Sequence, residues 1–250
     1  MCDTQGGQPS PYRTGFIRGE TFGWREVRYR LQGNLAVLDG DMVLGTERQM
    51  EAARQRMRAA RDAATPEGIV VEPSLRWPDG IVPFRVSSAL PNPNRVRDAI
   101  AEMASRTPLK FRKHSGEEDF VTFKPHTEML SEVGRRGGEQ FVRISATGTA
   151  GHVIHEICHA VGLYHEHGRP DRDKFITIVK QNIRPGFEEE FQQVTDGDAV
   201  GPYDYGSIMH YGSDAFALGP TRPTIRAPKP IGQRVRLSAG DVAAIEALYA

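Results

Sequence analysis

The alternation of hydrophobic and polar positions divides the chain into a strand-rich beginning, a mixed middle and a loop-rich end. Three β-like segments, at residues 24–31, 34–38 and 42–45, come first, and the sequence DGD forms a turn before the third. Residues 46–64 predict a helix, because Ala, Arg, Glu and Met dominate there and a Thr stands at its start. The composition then shifts, which places a boundary between residues 64 and 76.

Beyond that boundary the pattern alternates between strands and helices before it gives way to loops. Strands are predicted at residues 80–87, 109–114, 119–125 and 139–146. Helices are predicted at residues 94–107, 151–163 and 238–250. The last helix opens on Ser238 with Asp241 three residues later, an acidic variant of the capping box. Between the last two helices Gly and Pro are frequent, so the fold class predicted is α+β.

Composition excludes several classes of protein. Hydrophobic residues make up 38% and charged residues 26%, as in a globular domain, and 32 basic residues balance 32 acidic ones. That balance favours neither nucleic acid nor an anionic membrane as a partner. No apolar run is long enough to span a membrane, and residues 1–20 contain no apolar segment of a secretory signal. The two cysteines, Cys2 and Cys158, are too few for a disulfide framework.

Five of the eight histidines lie between residues 152 and 167, in the stretch HVIHEICHAVGLYHEH. His155 and His159 are four residues apart, so on a helix both imidazoles project from one face. This H-E-x-x-H spacing lets two neutral imidazoles bind Zn²⁺, with the intervening Glu156 placed as a general base. The stretch therefore predicts a metal centre on a helix.

A third ligand follows a glycine. Gly162 lies three residues after His159, and a glycine can adopt the positive φ that ends a helix and turns the chain away. His165 is then free to return to the same ion, and three protein ligands plus water describe a catalytic zinc site. His152 and His167 do not fit the ligand spacing, so they are expected either beside the ligands or on the surface.

The full pattern H-E-x-x-H-x-x-G-x-x-H is the metzincin signature, and the run HEICHAVGLYHEHGRPDRD resembles the astacin family in particular. Five residues carry that extension: Glu166, Arg169, Asp171, Arg172 and Asp173. Leu163 stands where this family usually has an aromatic residue. The family's two catalytic-domain disulfides are missing, and Cys158 is interpreted as a small core residue.

A second match lies downstream, where YDYGSIMHYG resembles the Met-turn of the same family. The resemblance implies that Met209 lies beneath the metal and that Tyr211 is a conditional zinc ligand. The segments RWPDGIVPF, SEVGRRGGEQFVRI and LSAGDVAAIEALY resemble further parts of the astacin catalytic domain, so the likeness extends from about Arg76 to the C-terminus.

The resemblance implies an α+β metzincin zinc-peptidase fold. Two subdomains would flank an active-site cleft, with a twisted mixed sheet, a long zinc-binding helix and a C-terminal helix. One Zn²⁺ would be held by His155, His159 and His165. Glu156 would be the general base and Tyr211 a hydrogen-bond donor to the oxyanion, so the chain would be a zinc endopeptidase.

The substrate expected is a protein or peptide, bound in extended form along an edge strand near residues 140–144. Two alternatives stay open. A metal-dependent hydrolase of a non-peptide substrate would not need an edge strand. A catalytically silent binding module would not need every ligand and the general base to be intact.

The resemblance also divides the chain into a propeptide-like latency segment, residues 1–68, and a catalytic domain, residues 69–250. In several astacins an F-x-G-D motif inserts its aspartate into the zinc site, and VLDGDMVLG offers Asp41 for that role. The alternative is that DGD is an ordinary acidic turn. Cleavage near residues 68–71 would activate the enzyme, and the new N-terminus would fold towards Glu166. Family resemblance further implies secretion.

Overall fold

The computed structural model describes residues 10–18, 24–62, 75–193 and 199–249. Within these ranges the α-helices are α1 (Glu47–Asp62), α2 (Asn94–Arg106), α3 (Ala150–Ala160) and α4 (Ala239–Tyr249). The strands are β1 (Arg13–Arg18), β2 (Trp24–Gln32), β3 (Leu35–Leu38), β4 (Met42–Thr46), β5 (Ile81–Val86), β6 (Lys110–Lys113), β7 (Phe120–Pro125), β8 (Leu130–Glu132), β9 (Glu139–Ile144), β10 (Thr177–Ile178) and β11 (Ile225–Arg226). Every helix and strand predicted from the sequence is present, which confirms the α+β class.

Four strands were not predicted: β1, β8, β10 and β11. β8 has three residues, and β10 and β11 have two each, so they are too short to show a periodic pattern. β1 has six residues, RTGFIR, and a glycine interrupts its alternation. The two-residue strands β10 and β11 pair with each other in the loop-rich half of the molecule.

One nine-stranded mixed sheet runs through the described chain in the order β1-β2-β3-β4-β8-β9-β7-β5-β6. Its first four strands form an antiparallel meander. β4 then pairs in parallel with β8, through Met42 opposite Ser131 and Val43 opposite Glu132. The N-terminal strands therefore extend the sheet of the remaining chain across the boundary that the sequence predicts.

The predicted edge strand is wrong. Residues 140–144 belong to β9, which lies inside the sheet between β7 and β8. The short strand β8 pairs antiparallel with the far side of β9, through Leu130 with Arg143 and Ser131 with Val142. β8 is thus one of the two outer strands of the part that follows residue 75, with β6 at the opposite edge, and β4 covers the free side of β8.

The main core lies between the sheet and helices α2, α3 and α4. Buried side chains from each contribute, among them Val96, Ile157, Ile245 and Val142. Cys158 is fully buried in this cluster as a free cysteine, which confirms its interpretation as a core residue. This packing fixes α3 from three sides, so the helix is a rigid support for the side chains it presents.

The loop-rich half has its own core, made mostly of aromatic and branched side chains. Its buried members include Ile176, Phe191, Tyr203, Tyr211 and Ile225. The geometry of this half depends on turns and short 3-10 helices, since β10 and β11 are its only strands among the described residues. None of the helices in the described part of the chain combines the length and the apolar character that a membrane crossing requires.

Candidate metal centre

Helix α3 brings the first two histidines together. It begins after Thr149, whose hydroxyl accepts the backbone N–H of His152 while the His152 ring accepts the N–H of Thr149. His152 is therefore a capping residue at the helix start. One turn further, the rings of His155 and His159 lie 4.8 Å apart, centroid to centroid. Both side chains are buried, as the four-residue spacing predicts.

Gly162 turns the chain so that a third histidine reaches the same point. Its φ is +110°, and its N–H donates to the carbonyl of His159 at 2.8 Å. The ring of His165 then lies 4.8 Å from that of His159 and 5.3 Å from that of His155. A side chain at residue 162 would be strained by this backbone conformation.

A carboxylate from the N-terminal strands completes the group. The Oδ2 atom of Asp41 lies 3.2 Å from Nε2 of His155. Its Oδ1 atom lies 3.2 Å from Nε2 of His165 and 3.5 Å from Nε2 of His159. The four ligand atoms are all within 4.8 Å of one another, and all four residues are buried. Asp41 thus lies where the sequence predicts a metal-binding aspartate.

The chemistry of this group fits a zinc ion. The Nδ1 atoms of His155 and His159 lie 2.8 Å from the carbonyls of Ile208 and Leu163, so each donates there and leaves its Nε2 lone pair towards the cluster. Burial is the main cause of a pKa of His155 well below its usual value, which keeps the imidazole neutral. Three imidazole nitrogens and one carboxylate oxygen are a ligand set that Zn²⁺ accepts.

Two of the ligand atoms that face the centre have no hydrogen-bond partner among the described residues. Nε2 of His159 and Oδ1 of Asp41 are buried and have no hydrogen-bond partner there. Buried polar atoms are normally satisfied, so atoms left without a partner call for an ion or a water molecule. A bound cation would satisfy both atoms at once.

Glu156 lies beside this cluster on α3. Its side chain is 1% exposed, and Oε2 has no hydrogen-bond partner among the described residues. Burial, followed by the charge of Asp41, raises its pKa well above the usual range. A carboxyl group in such a place is suited to hold and release a proton.

A tight turn at residues 207–209 supports the histidines. Ile208 provides the carbonyl that orients His155, and the carbonyl of Met209 accepts the N–H of Glu166 at 3.0 Å. Asp241, in the first turn of α4, holds this turn by accepting the hydroxyl of Ser207 at 2.6 Å and the N–H of Ile208 at 2.9 Å. The same carboxylate accepts the Ser238 N–H at 2.8 Å, as the predicted capping box requires.

Tyr211 approaches the centre from the loop-rich half. Its ring stacks on His167 with centroids 3.8 Å apart and lies 4.7 Å from the ring of His165. Its hydroxyl donates to the backbone carbonyl of Asp39. His167 is completely buried, so it lies beside the ligands and not on the surface. Sequence reasoning missed the part played by Asp39.

The residues after the third histidine form a loop that is held by its own hydrogen bonds. Arg169 makes two hydrogen bonds to Asp171, at 2.9 and 3.0 Å, and donates to the carbonyl of Gly201. Arg172 donates to the carbonyl of His167 at 2.9 Å. These contacts anchor the segment that carries His165, so the charged residues of the extended signature have a structural role in this chain.

A cavity of about 230 Å³ lies behind this loop. Its lining includes Gly162, Glu166, Asp204, Asp241 and Leu248. Burial is the main cause that raises the pKa of Glu166 to about 7, although its carboxylate accepts the N–H of Asp204 at 2.8 Å. The cavity therefore combines an apolar wall with carboxyl groups.

Two sequence predictions lie outside the described residues. The expected cleavage region, residues 68–71, falls in the gap between residues 62 and 75, and Cys2 precedes residue 10. Tyr211 as a metal ligand and the functional division at residue 68 stay predictions, since the geometry shows only where the described side chains lie.

Comparisons with known proteins agree with this geometry. A family model described as Astacin, a peptidase family, matches residues 69–250. The chain is 36% identical over 206 residues to the astacin-like metalloendopeptidase of Mus musculus, which covers 73% of this chain and 47% of that protein. It is 34% identical over 238 residues to the low choriolytic enzyme of Oryzias latipes, covering 89% of this chain and 82% of that one.

A solved structure is also similar. The high choriolytic enzyme 1 of Oryzias latipes, a hatching enzyme zinc-protease, superimposes with a TM-score of 0.64 at 34% identity, over 70% of this chain and 92% of that chain. The chain spans less than half of the length of the first curated relatives it matches.

Proposed function

Because the chain belongs to the astacin family of zinc metallopeptidases, we propose that it is a zinc-dependent endopeptidase. The observation that carries the proposal is the convergence of three imidazole Nε2 atoms, from His155, His159 and His165, on one buried point. These three side chains would hold the ion. Bound zinc supplies a Lewis acid that lowers the pKa of a water molecule and polarises a carbonyl oxygen.

The chain's own residues would carry the proton and the developing charge. Glu156, buried next to the cluster, accepts the proton of the attacking water and delivers it to the leaving amine. Tyr211 donates its hydroxyl hydrogen to the oxyanion of the tetrahedral species. The Tyr211 ring is held by its stacking on His167, which fixes the phenol oxygen, while the hydroxyl hydrogen can rotate about the C–O bond towards a new acceptor.

The substrate would be a protein or peptide in extended form. The site for it is β8, which replaces residues 140–144 in this role because β8 is the outer strand next to Asp41, whose carbonyl accepts the N–H of Ser131 at 3.0 Å. A peptide would pair with its backbone groups, as strands do at a sheet edge. In the full chain the parallel contact with β4 covers these groups.

Residues 1–68 would keep the enzyme latent. Asp41 lies among the three histidines, and the carbonyl of Asp39 holds the Tyr211 hydroxyl, so one turn engages two parts of the catalytic machinery. The simpler interpretation of DGD as a surface turn is disfavoured by its burial, since Asp39 is 2% and Asp41 8% exposed. A carboxylate that binds the metal displaces water from it.

Activation would require a cut near residues 68–71. The new terminal ammonium would enter the cavity beside Glu166, whose carboxyl group has a raised pKa of about 7 and would gain a partner there. Secretion is a further proposal that follows from the family resemblance.

The test uses the full chain before and after activation. An enteropeptidase site inserted directly before Ile69 is cleaved after folding, and the N-terminal fragment is removed by gel filtration; we call this product the cut chain. The cut chain should hydrolyse casein, a chelator should abolish the activity, and zinc should restore it. Chelator-sensitive hydrolysis of small esters without casein cleavage would favour a non-peptide hydrolase, and zinc binding without hydrolysis would favour a binding module.

A further inference from the structure

A buried ion pair joins the N-terminal strands to the loop-rich half, away from the metal centre. Nε of Arg30 lies 3.3 Å from Oε1 of Glu190, and the two side chains are only 9% and 4% exposed. The hydroxyl of Tyr12 donates to the same carboxylate oxygen at 2.8 Å. An ion pair as buried as this one is stable only where the attraction between the two charges offsets the loss of water around both.

Two aromatic rings enclose the guanidinium of Arg30. Its Cζ atom lies 4.1 Å from the centroid of the Tyr12 ring and 4.3 Å from that of Phe187. Phe187 is itself held by stacking on Phe216, with centroids 5.0 Å apart. A planar, weakly hydrated guanidinium suits such a slot, whereas the compact and strongly hydrated ammonium of lysine does not.

The members of this cluster come from different sides of the predicted cleavage region. Tyr12 and Arg30 precede it, and Phe187 and Glu190 follow it. Among the described residues, both the hydrogen bond and the ion pair of the Glu190 carboxylate are made by the N-terminal members. Removal of residues 1–68 would therefore leave Glu190 as an unpaired carboxylate beside an aromatic wall, and such a group strongly favours a new cationic partner.

The cluster is close to the metal centre. Arg30 is opposite Val37 in the β2–β3 ladder, and Val37 is four residues before Asp41 across the turn between β3 and β4. Four residues span at most roughly 13 Å, so the two sites are no further apart along this path. On the other side, the backbone carbonyl of Glu190 lies 3.3 Å from Nε2 of His167, which stacks on Tyr211. An extended peptide at the metal centre could reach Glu190 with a side chain within about four residues of the scissile bond.

We propose that Glu190 and Phe187 form a guanidinium subsite of the active enzyme, which binds an arginine side chain of the substrate. In the full chain Arg30 occupies this subsite from the N-terminal segment. The inference rests on the proposed function, because it assigns a specificity to the same cleft. Arginine is preferred over lysine, since only the guanidinium can lie flat on the Phe187 ring while it contacts the carboxylate.

The experiment uses peptides of one fluorogenic scaffold. A single arginine is placed in turn at each of the four positions on either side of the scissile bond, and each peptide is matched by one with citrulline, which has the same shape without the charge. Values of kcat/KM are measured for the cut chain, for its Glu190→Gln variant and for its Glu189→Gln variant. Glu189 is the matched control, because it carries the same charge one residue away and its side chain is 34% exposed.

At one position kcat/KM of the arginine peptide should exceed that of its citrulline partner by at least about tenfold, which is the range of a buried charge-assisted contact. Glu190→Gln should bring that ratio close to unity, and Glu189→Gln should preserve it. At that position kcat/KM of a lysine peptide should be closer to that of the citrulline peptide than to that of the arginine peptide. An absent preference in the wild type, or one that survives Glu190→Gln, overturns the subsite.

Binding separates this inference from the proposed function. Fluorescence anisotropy of the same labelled peptides on cut chain that carries Glu156→Gln measures recognition without hydrolysis. If no peptide is cleaved but arginine still binds at least about tenfold tighter than citrulline in a Glu190-dependent way, the endopeptidase proposal fails and the subsite stands. If peptides are cleaved with no such difference in rate or binding, the subsite fails and the endopeptidase stands.

Discussion

Oδ2 of Asp41 lies 3.2 Å from Nε2 of His155, although 114 residues separate the two along the chain. The strand pairing of β4 with β8 places Asp41 there, since the aspartate directly precedes β4. The same turn holds the Tyr211 hydroxyl through the carbonyl of Asp39. Removal of the Asp41 carboxylate should thus affect the centre without displacing the turn.

Asp41→Ala should raise the peptidase activity of the uncut chain, because the ion would again be open to water. We expect an increase of at least about tenfold in the hydrolysis rate of a fluorogenic peptide, with unchanged zinc content by elemental analysis, since three histidines suffice as ligands. Glu26→Gln is the control, because it changes an exposed carboxyl group of the same N-terminal strands. A fully active uncut chain, with no change on Asp41→Ala, would reduce Asp41 to a turn residue.

Glu156→Gln should abolish turnover and spare the metal. The proton acceptor is lost while the histidines stay in place, so kcat of the cut chain should fall by about two to four orders of magnitude at full zinc content. Glu246→Gln, an exposed change on α4, serves as the control and should leave kcat unaltered. Near-normal turnover of Glu156→Gln would contradict the assigned role of general base.

Tyr211→Phe in the cut chain should lower kcat by roughly 10²–10³ and leave KM almost unchanged, because the hydroxyl acts in the transition state. The ring and its stacking on His167 are retained, so the fold should not suffer. Tyr205→Phe is the matched control, since that hydroxyl donates to the carbonyl of Phe175 in the same half. If kcat of Tyr211→Phe equals that of the control, Tyr211 only packs against its neighbours.

The sequence was informative where function depends on spacing within one element. His155 and His159 share a face of α3 because they are four residues apart. A glycine, Gly162, stands where the chain must turn with a positive φ. The Ser238–Asp241 capping box is local in the same sense. Such features depend on a few consecutive residues, so periodicity and motif reveal them.

Features that depend on distant parts of the chain were not predictable. The outer position of β8 follows from two residue pairs with β9, and a strand of three residues has no period to detect. Asp241 also holds Ser207, 34 residues earlier, which its cap pattern does not indicate. The Arg30–Glu190 pair joins residues on opposite sides of the predicted boundary, and either residue alone resembles an ordinary surface charge.

Glu166 should make the stability of the uncut chain depend on pH. Burial raises the pKa of its carboxyl from 4.5 to about 7 in the folded chain, so the folded form retains a proton that the unfolded form releases. The protonated carboxyl contributes fully to the free energy of unfolding below pH 4.5. This contribution is lost as the pH rises through about 7, and the total decrease is at most about 3 kcal/mol.

Urea unfolding of wild type and Glu166→Gln between pH 4 and pH 8 measures this effect. As the pH rises from 4 to 8, the free energy of unfolding of wild type should fall more than that of Glu166→Gln, so the variant gains stability relative to wild type. Glu246→Gln should follow the wild type. In the cut chain a terminal ammonium next to Glu166 should remove the decline in the wild type. Parallel curves for wild type and Glu166→Gln in the uncut chain would show that this carboxyl is not destabilised by burial.

Gly151→Ala should destabilise the chain even though it replaces a glycine by the best helix former. Helix propensity alone favours alanine by about 1 kcal/mol. A Cβ at residue 151, however, would overlap the carbonyl oxygen of Arg234, a backbone atom that cannot rotate away. We expect a net loss of roughly 1–3 kcal/mol in the free energy of unfolding, because overpacking forces the backbone to shift. Gly219→Ala is the control, since a Cβ there would meet no atom within 4 Å. A Gly151→Ala chain as stable as wild type, with the control equally unaffected, would mean that the segment around Arg234 is not packed against α3 as described.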